Sequence, residues 1–207
     1  HVRHIENLAN MAKQGLFHYR GRGNKGDAPF YSGECAMATA SSSTYASIKK
    51  NAKFDFGIAP LPYYPDVQGA PQNTVIGGAS LWVMAGKKPA EYKGVAAFFN
   101  YLQNTEVQAK SHQQTGYLPI TLASFKLTEQ SGFYKDNPGT DTAVNQMIRK
   151  TTDKSRGVRL GNFVQIRAIM DEELEQVWAG KKTAKEALDE AVKRGNEQLE
   201  RFQQSNK

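Results

Sequence analysis

Four places in this chain carry residues whose type and spacing could hold a small ligand. The first is the stretch Gly33-Glu34-Cys35-Ala36-Met37-Ala38-Thr39-Ala40-Ser41-Ser42-Ser43-Thr44, where small residues run straight into a cluster of hydroxyls. It reads as a strand around 34–39 followed by a short helix from Thr44 to about Asn51. A helix start exposes unpaired backbone N–H groups and a partial positive charge, so such a junction can receive an anion.

Arg167 is the second. The helix expected from Phe163 carries an apolar stripe of Phe163, Ile166, Met170, Leu174, Val177 and Trp178. Arg167 lies four residues after Phe163 and three before Met170, so it turns the same way as that stripe. This predicts an arginine pointing inward near a helix start. A buried guanidinium must meet an anion, either an Asp or Glu elsewhere in the fold or a ligand. Its planar fork suits phosphate and carboxylate equally.

The third is Gly77-Gly78, ahead of an expected strand at Leu81-Trp82-Val83-Met84-Ala85. It is either a turn or a point where backbone approaches a ligand closely. The fourth is Tyr117, after Gly116, which is either a core aromatic or a hydroxyl presented to a ligand.

Reactive arrangements are missing from the sequence. It holds no Gly-x-Ser-x-Gly elbow, no His-Glu-x-x-His and no Walker-type loop. Glu172 and Glu173 read as part of a charged, solvated helix face. His1, His4, His18 and His112 read as surface residues, and with the single Cys35 they form no cluster of metal-ligand spacing. The pattern is that of a binder and not an enzyme, with no metal and no cofactor expected.

The elements that must position these residues alternate in type. Ile5, Leu8, Ala9, Ala12 and Leu16 predict a first helix over 4–17, ended by Gly15. A polar loop reaches Phe30, and Phe54-Asp55-Phe56-Gly57-Ile58 alternates as a strand. Pro60, Pro62 and Pro65 force an extended loop to about Asn73. Pro89 starts a helix, Thr105 caps a shorter one that stops at Gly116, and Pro119 keeps Leu118 extended. A helical stretch near 141–151 follows. Asn162 is expected to cap the first of two closing helices, and Thr183 with Glu186 forms a capping box for the second. Leu188, Ala191, Val192, Leu199 and Phe202 give that last helix its core stripe. Alternating strands and helices make the class α/β.

Composition narrows the partners. The chain has 207 residues, 39% hydrophobic and 23% charged, which is a globular balance with room for a real core. No apolar run approaches the roughly 20 residues that cross a bilayer. The chain begins at His1 on a helix already under way, which reads as a truncated start. A net charge of +7 raises nucleic acid as a partner, but the basic residues are scattered or interleaved with acids and lack the aromatic interleaving of a base-stacking platform. The glycine-rich basic run Arg20-Gly21-Arg22-Gly23-Asn24-Lys25-Gly26 reads as a solvated loop. No nucleic acid is expected.

Several longer stretches carry a family resemblance: FYSGECAMATASSS, GIAPLPYYPDVQGAPQNTVIGGASLWVMAGKK with AAFFNYLQNTEVQ after it, TGYLPIT, and the closing VWAGKKTAKEALDEA. Together they resemble the C-terminal half of ABC-transporter solute-binding proteins related to maltose-binding protein. The resemblance implies a bilobal α/β fold with a ligand cleft between lobes. Residues 1–85 would form part of the C-terminal lobe, 86–122 would cross to and pack on the N-terminal lobe, and 123–207 would complete the C-terminal lobe with the closing helices. The missing N-terminal lobe would then be a partner of this chain.

Within that family the string is most similar to members that take glycerol phosphates. This implies sn-glycerol-3-phosphate as ligand, glycerophosphodiesters such as glycerophosphocholine as further ligands, membrane permease subunits of an ABC importer as partners, and the periplasm as location. Matched residue by residue, Ser41 supplies a ligand-contacting hydroxyl, with Ser42 and Ser43 as alternatives in the same run. Gly78 offers its backbone N–H, Tyr117 its hydroxyl, and Arg167 takes a place where sugar-binding relatives tend to carry a stacking aromatic. An aromatic suits the apolar face of a sugar, and a guanidinium suits a phosphate. A sugar-binding protein of the same fold is the alternative, and a glycerophosphodiester-processing enzyme a more distant one.

Overall fold

Pro89, Gly116 and the Thr183–Glu186 pair mark helix ends as their chemistry requires. In the computed structural model, which describes residues 1–206, Pro89 opens a helix over Pro89–Gln103. Gly116 ends the next, Thr105–Thr115, in the left-handed conformation at φ 78°. Thr183 Oγ1 accepts from Glu186 N while the Glu186 carboxylate accepts from Thr183 N, closing the capping box. In chain order the helices are α1 Val2–Lys13, α2 Asp27–Tyr31, α3 Tyr45–Asn51, α4 Pro89–Gln103, α5 Thr105–Thr115, α6 Leu122–Gln130, α7 Phe133–Asp136, α8 Thr142–Met147, α9 Phe163–Trp178 and α10 Ala184–Ser205.

The expected strands take a different form. Among the described residues no strand ladder forms at 34–39, 54–58 or 81–85. Alternation marks a segment that can extend, but a strand exists only where another strand supplies the hydrogen-bonding edge. Most apolar side chains of these segments are exposed, among them Met37, Ile58 and the whole of 81–85, with Trp82 86% exposed; Phe56 is half-buried against Tyr45.

The chain divides into two compact units. The first is His1–Gly26 with the segment from Val158 onward. There α9 packs on α10, and α1 lies against both. The buried line of α9 is Ile166, Ile169, Glu173 and Val177, and that of α10 is Ala184, Ala187, Ala191 and Gly195. Small residues on α10 let the branched side chains of α9 come close: a Cβ on Gly195 would touch Ile166 at 3.7 Å. Val192 and Phe202, expected in the core stripe, lie outside this line and are exposed. Helical spacing identifies a face but not which of two adjacent stripes meets the neighbouring helix.

Glu173, expected in a solvated face, is buried and held by Lys182 at 2.5 Å and Arg194 at 2.8 Å. Asn162 stands at the N-cap of α9 but does not cap it with its side chain; its backbone is left-handed at φ 51°. Its side-chain amide donates instead to the Gln198 carbonyl of α10 at 3.0 Å.

The second unit, Asp27–Gly157, holds the remaining helices, with α5 packed against α3, α4 and α6, and α6 against α7. Its interior is strongly polar: Thr44, Gln108, His112, Ser124, Thr128, Gln146 and Ser155 are buried beside Ala109 and Val144. Asn104, and not Thr105, caps α5, its side-chain oxygen accepting from the Glu106 and Val107 amides. One residue of register separates the two, because a cap must lie outside the helix it serves.

Candidate functional site

Ser41 stands in extended backbone (φ −71°, ψ 147°) at the head of a 3-10 turn, Ser42–Thr44, that leads into α3. Its hydroxyl lies 3.0 Å from Ser43 Oγ and accepts from the Ser43 amide at 3.4 Å. Its carbonyl receives the buried Thr44 hydroxyl at 2.7 Å. The junction thus satisfies part of its own donor set, and what it presents outward is the exposed Ser41 side chain.

Tyr117 sits directly against this junction through its neighbour. A Cβ on Gly116 would collide with the Ser42 carbonyl oxygen and come within 2.9 Å of Tyr45 Cβ. The left-handed φ of 78° and this close approach both require glycine. Tyr117 itself is 56% exposed, and among the described residues its hydroxyl has no partner. Of its two readings, the core aromatic is not what the geometry shows, since the ring lies at the surface of its unit.

His112 was expected at the surface; it is 3% exposed. Its Nδ1 lies 2.6 Å from the Tyr117 carbonyl oxygen, and its Nε2 lies 2.9 Å from the Tyr134 hydroxyl of α7. A carbonyl only accepts, so Nδ1 carries the proton, and Nε2 accepts from Tyr134. Burial pushes the imidazole below its ordinary range, with the Tyr117 carbonyl pulling the other way. The ring is neutral. Burial also pushes the Tyr134 phenol up to about 12, helped by Asp141 and Glu129, which keeps its proton in place.

Gln108, one helical turn before His112 on α5, staples the far end of the same loop. Its amide donates to the Leu102 and Gln103 carbonyls at 3.3 and 3.2 Å. Its oxygen accepts from Thr121 Oγ1 and Ser124 Oγ, both at 3.0 Å. Sequence reasoning missed both residues because polar helix positions read as solvated until tertiary packing covers them.

Gly78 has φ 121°, with open space where a Cβ would stand. Such a φ favours glycine whatever the space. Among the described residues its N–H meets no acceptor.

Arg167, expected to point inward, is exposed. It does share a face with Phe163 and Met170, as the spacing predicted, but those side chains are themselves exposed at 38% and 45%. The buried face of α9 is the adjacent line of Ile166 and Ile169. No acidic partner meets Arg167, and among the described residues its guanidinium makes neither an ion pair nor a hydrogen bond. Another arginine of the same unit is engaged differently. Arg22 grips both oxygens of Glu175 at 2.7 and 2.6 Å and, with the Tyr19 hydroxyl, holds that carboxyl down to about 2. Glu175 and Tyr19 border an open groove of about 490 Å³ with Phe17 and Trp178, which none of the four candidate residues lines. Among the described residues no group of three or more His, Cys, Asp or Glu is placed to hold a metal ion.

Residues 2–142 match the family of bacterial extracellular solute-binding proteins, and the chain belongs to that family. Over all 207 residues it is 55% identical to the sn-glycerol-3-phosphate-binding periplasmic protein UgpB of Pectobacterium atrosepticum. Identity to the UgpB proteins of Yersinia pseudotuberculosis and Escherichia coli K12 is 54% and 53%. The chain spans about half the length of these curated relatives, 47% of each. The crystal structure of UgpB from Mycobacterium tuberculosis in complex with glycerophosphocholine superposes at a TM-score of 0.72. That match covers 95% of this chain and 48% of the other at 24% identity. The fold is therefore that of a bilobal solute-binding protein, of which this chain makes up about half.

Proposed function

We propose that the protein carrying this chain captures sn-glycerol-3-phosphate in a cleft between two lobes and delivers it to the permease of an ABC importer. The observation that carries this reading is Arg167: an unpaired, exposed guanidinium flanked by Phe163 and Met170. A cation left without a carboxylate on an apolar helix face is arranged for an incoming anion, and its fork fits the oxygens of a phosphate monoester. Ser41, Gly78 and Tyr117 each present an unengaged or outward polar group suited to the glycerol and phosphate oxygens. Glycerophosphodiesters such as glycerophosphocholine share that core and are further ligands. The net charge of +7 favours approach of an anion.

The chain is the C-terminal half of that protein, and the site of action is the periplasm. Residues 86–122 are the segment that crosses to the N-terminal lobe, with the exposed Phe98 and Tyr101 of α4 available to pack on it. Capture, lobe closure and hand-over involve no bond making, so the protein is a carrier and not an enzyme.

Titration calorimetry on the intact protein tests this. Saturable heat with sn-glycerol-3-phosphate and none with glycerol or maltose is the expected result. Binding of maltose in preference to the phosphate ester, or steady hydrolysis of a glycerophosphodiester, would overturn it.

A further inference from the structure

His112 is a buried titratable group for which the proposed capture of ligand has no direct use, and its surroundings suggest what it does. It sits on α5 with both ring nitrogens engaged, one by the Tyr117 carbonyl and one by the Tyr134 hydroxyl. The Phe133 ring packs on it edge-on at 6.1 Å. Tyr134 and Phe133 belong to α7, a helix of a single turn. The residue that ends α7, Asn137, reaches the other way: its side-chain oxygen accepts from the Tyr45 hydroxyl at 3.0 Å and from Lys49 Nζ at 2.7 Å. Tyr45 and Lys49 lie on α3, the helix that follows Ser41–Ser43. One short helix and its cap are therefore bonded on one side to the Tyr117 loop, by way of His112, and on the other to α3, the helix that the serine junction opens. Gly116 closes the remaining side by packing on Ser42 and Tyr45.

We propose that His112 is a positioning residue for ligand capture, holding the Tyr117 loop at a set distance from the serine junction with α7 as the shared buttress. This rests on the reading of Tyr117 as a ligand residue. The physical reason is that a loop held only by its two ends keeps several conformations, and ordering them on binding costs affinity. A neutral imidazole fixed at both nitrogens removes that freedom before ligand arrives. Only a group that donates at the Nδ1 position can do so, because the atom it must hold is a carbonyl oxygen.

The test is a double-mutant cycle on the intact protein, read by calorimetric titration with sn-glycerol-3-phosphate. His112→Phe keeps the ring and removes the donor; the expected loss of affinity is about tenfold. His112→Asn keeps a donor near the Nδ1 position and should stay within about threefold of the unsubstituted protein. In a Tyr117→Phe background, the His112→Phe change should cost little more, because the group it positions has gone. Should His112→Phe fail to fold, Tyr134→Phe, which removes one hydroxyl, serves in its place with a smaller loss that likewise vanishes beside Tyr117→Phe. Equal losses in both backgrounds would mean general destabilisation and overturn the proposal, as would unchanged affinity in His112→Phe. If Tyr117→Phe alone leaves affinity unchanged, the proposal falls while capture of the phosphate ester stands. If the unsubstituted protein binds no sn-glycerol-3-phosphate, the functional reading fails first.

Discussion

The imidazole of His112 donates its Nδ1 proton to the carbonyl oxygen of Tyr117 at 2.6 Å, across the turn that ends α5. That bond ties the least exposed ionisable side chain of the second unit to the backbone of a half-exposed tyrosine. It places the polar interior and the candidate ligand surface in one structure, so that changes inside the unit are felt at the site.

Arg167→Ala should weaken binding of sn-glycerol-3-phosphate by roughly 10- to 150-fold, the range for losing a charge-assisted contact worth about 1.5–3 kcal/mol. Thermal stability should hardly change, because the side chain is exposed and unpaired. Arg167→Lys should recover part of the affinity, since it keeps the charge without the fork. Calorimetry and a melting curve on the same samples check all three.

Gly116→Ala acts on both stability and site. The left-handed φ of 78° and the collision with the Ser42 carbonyl predict a loss of about 2 kcal/mol or more. Relief of that collision displaces Ser42 and Tyr45, so ligand affinity should fall in the material that still folds. Chemical denaturation gives the first quantity and titration the second.

Glu173 makes the fold sensitive to acid. Its hydrogen bond with Lys182, and then that with Arg194, hold the carboxyl below the ordinary carboxylate value of 4.5. A depressed folded value means that the stabilisation is complete above the unfolded value and is lost as pH falls through the folded one. Stability should therefore decline from about pH 4.5 downward. Glu175, held near 2 by Arg22, adds to the same decline. Glu173→Gln should cost roughly 2–3 kcal/mol at pH 7. Denaturation between pH 3 and 7 should show that deficit shrinking as the acid range is entered.

Gln108→Leu removes a side chain whose hydrogen bonds run to Leu102, Gln103, Thr121 and Ser124. Two carbonyls and two hydroxyls lose a partner, that of Ser124 in a fully buried position, a cost of about 2–3 kcal/mol. Faster amide exchange should appear first at the start of α6, where Ser124 N bonds to Thr121 Oγ1.

Most helices were legible because their ends carry local chemistry. Pro89, Gly116 and the Thr183–Glu186 pair act within one turn of themselves, so neighbouring residues alone suffice to place α4, the end of α5 and the start of α10. The short helices α2, α6 and α7 were not anticipated. Leu122–Gln130 carries no apolar stripe that would announce it, since what it buries is Ser124 and Thr128.

For the candidate site the division falls along the same physical line. Residue types and spacing determined that Ser41–Ser43 opens a helix, that Gly116 turns the chain ahead of Tyr117, and that Arg167 shares a helix face with Phe163 and Met170. These are properties of one segment, set by dihedral preference and helical period. Tertiary structure alone decided which face of α9 is covered, and so that Arg167 is exposed and unpaired. It alone enclosed His112 and Gln108, and it left the extended segment at 81–85 without a strand beside it. Burial and strand pairing depend on what lies opposite in space, and a linear pattern specifies a face without specifying its partner.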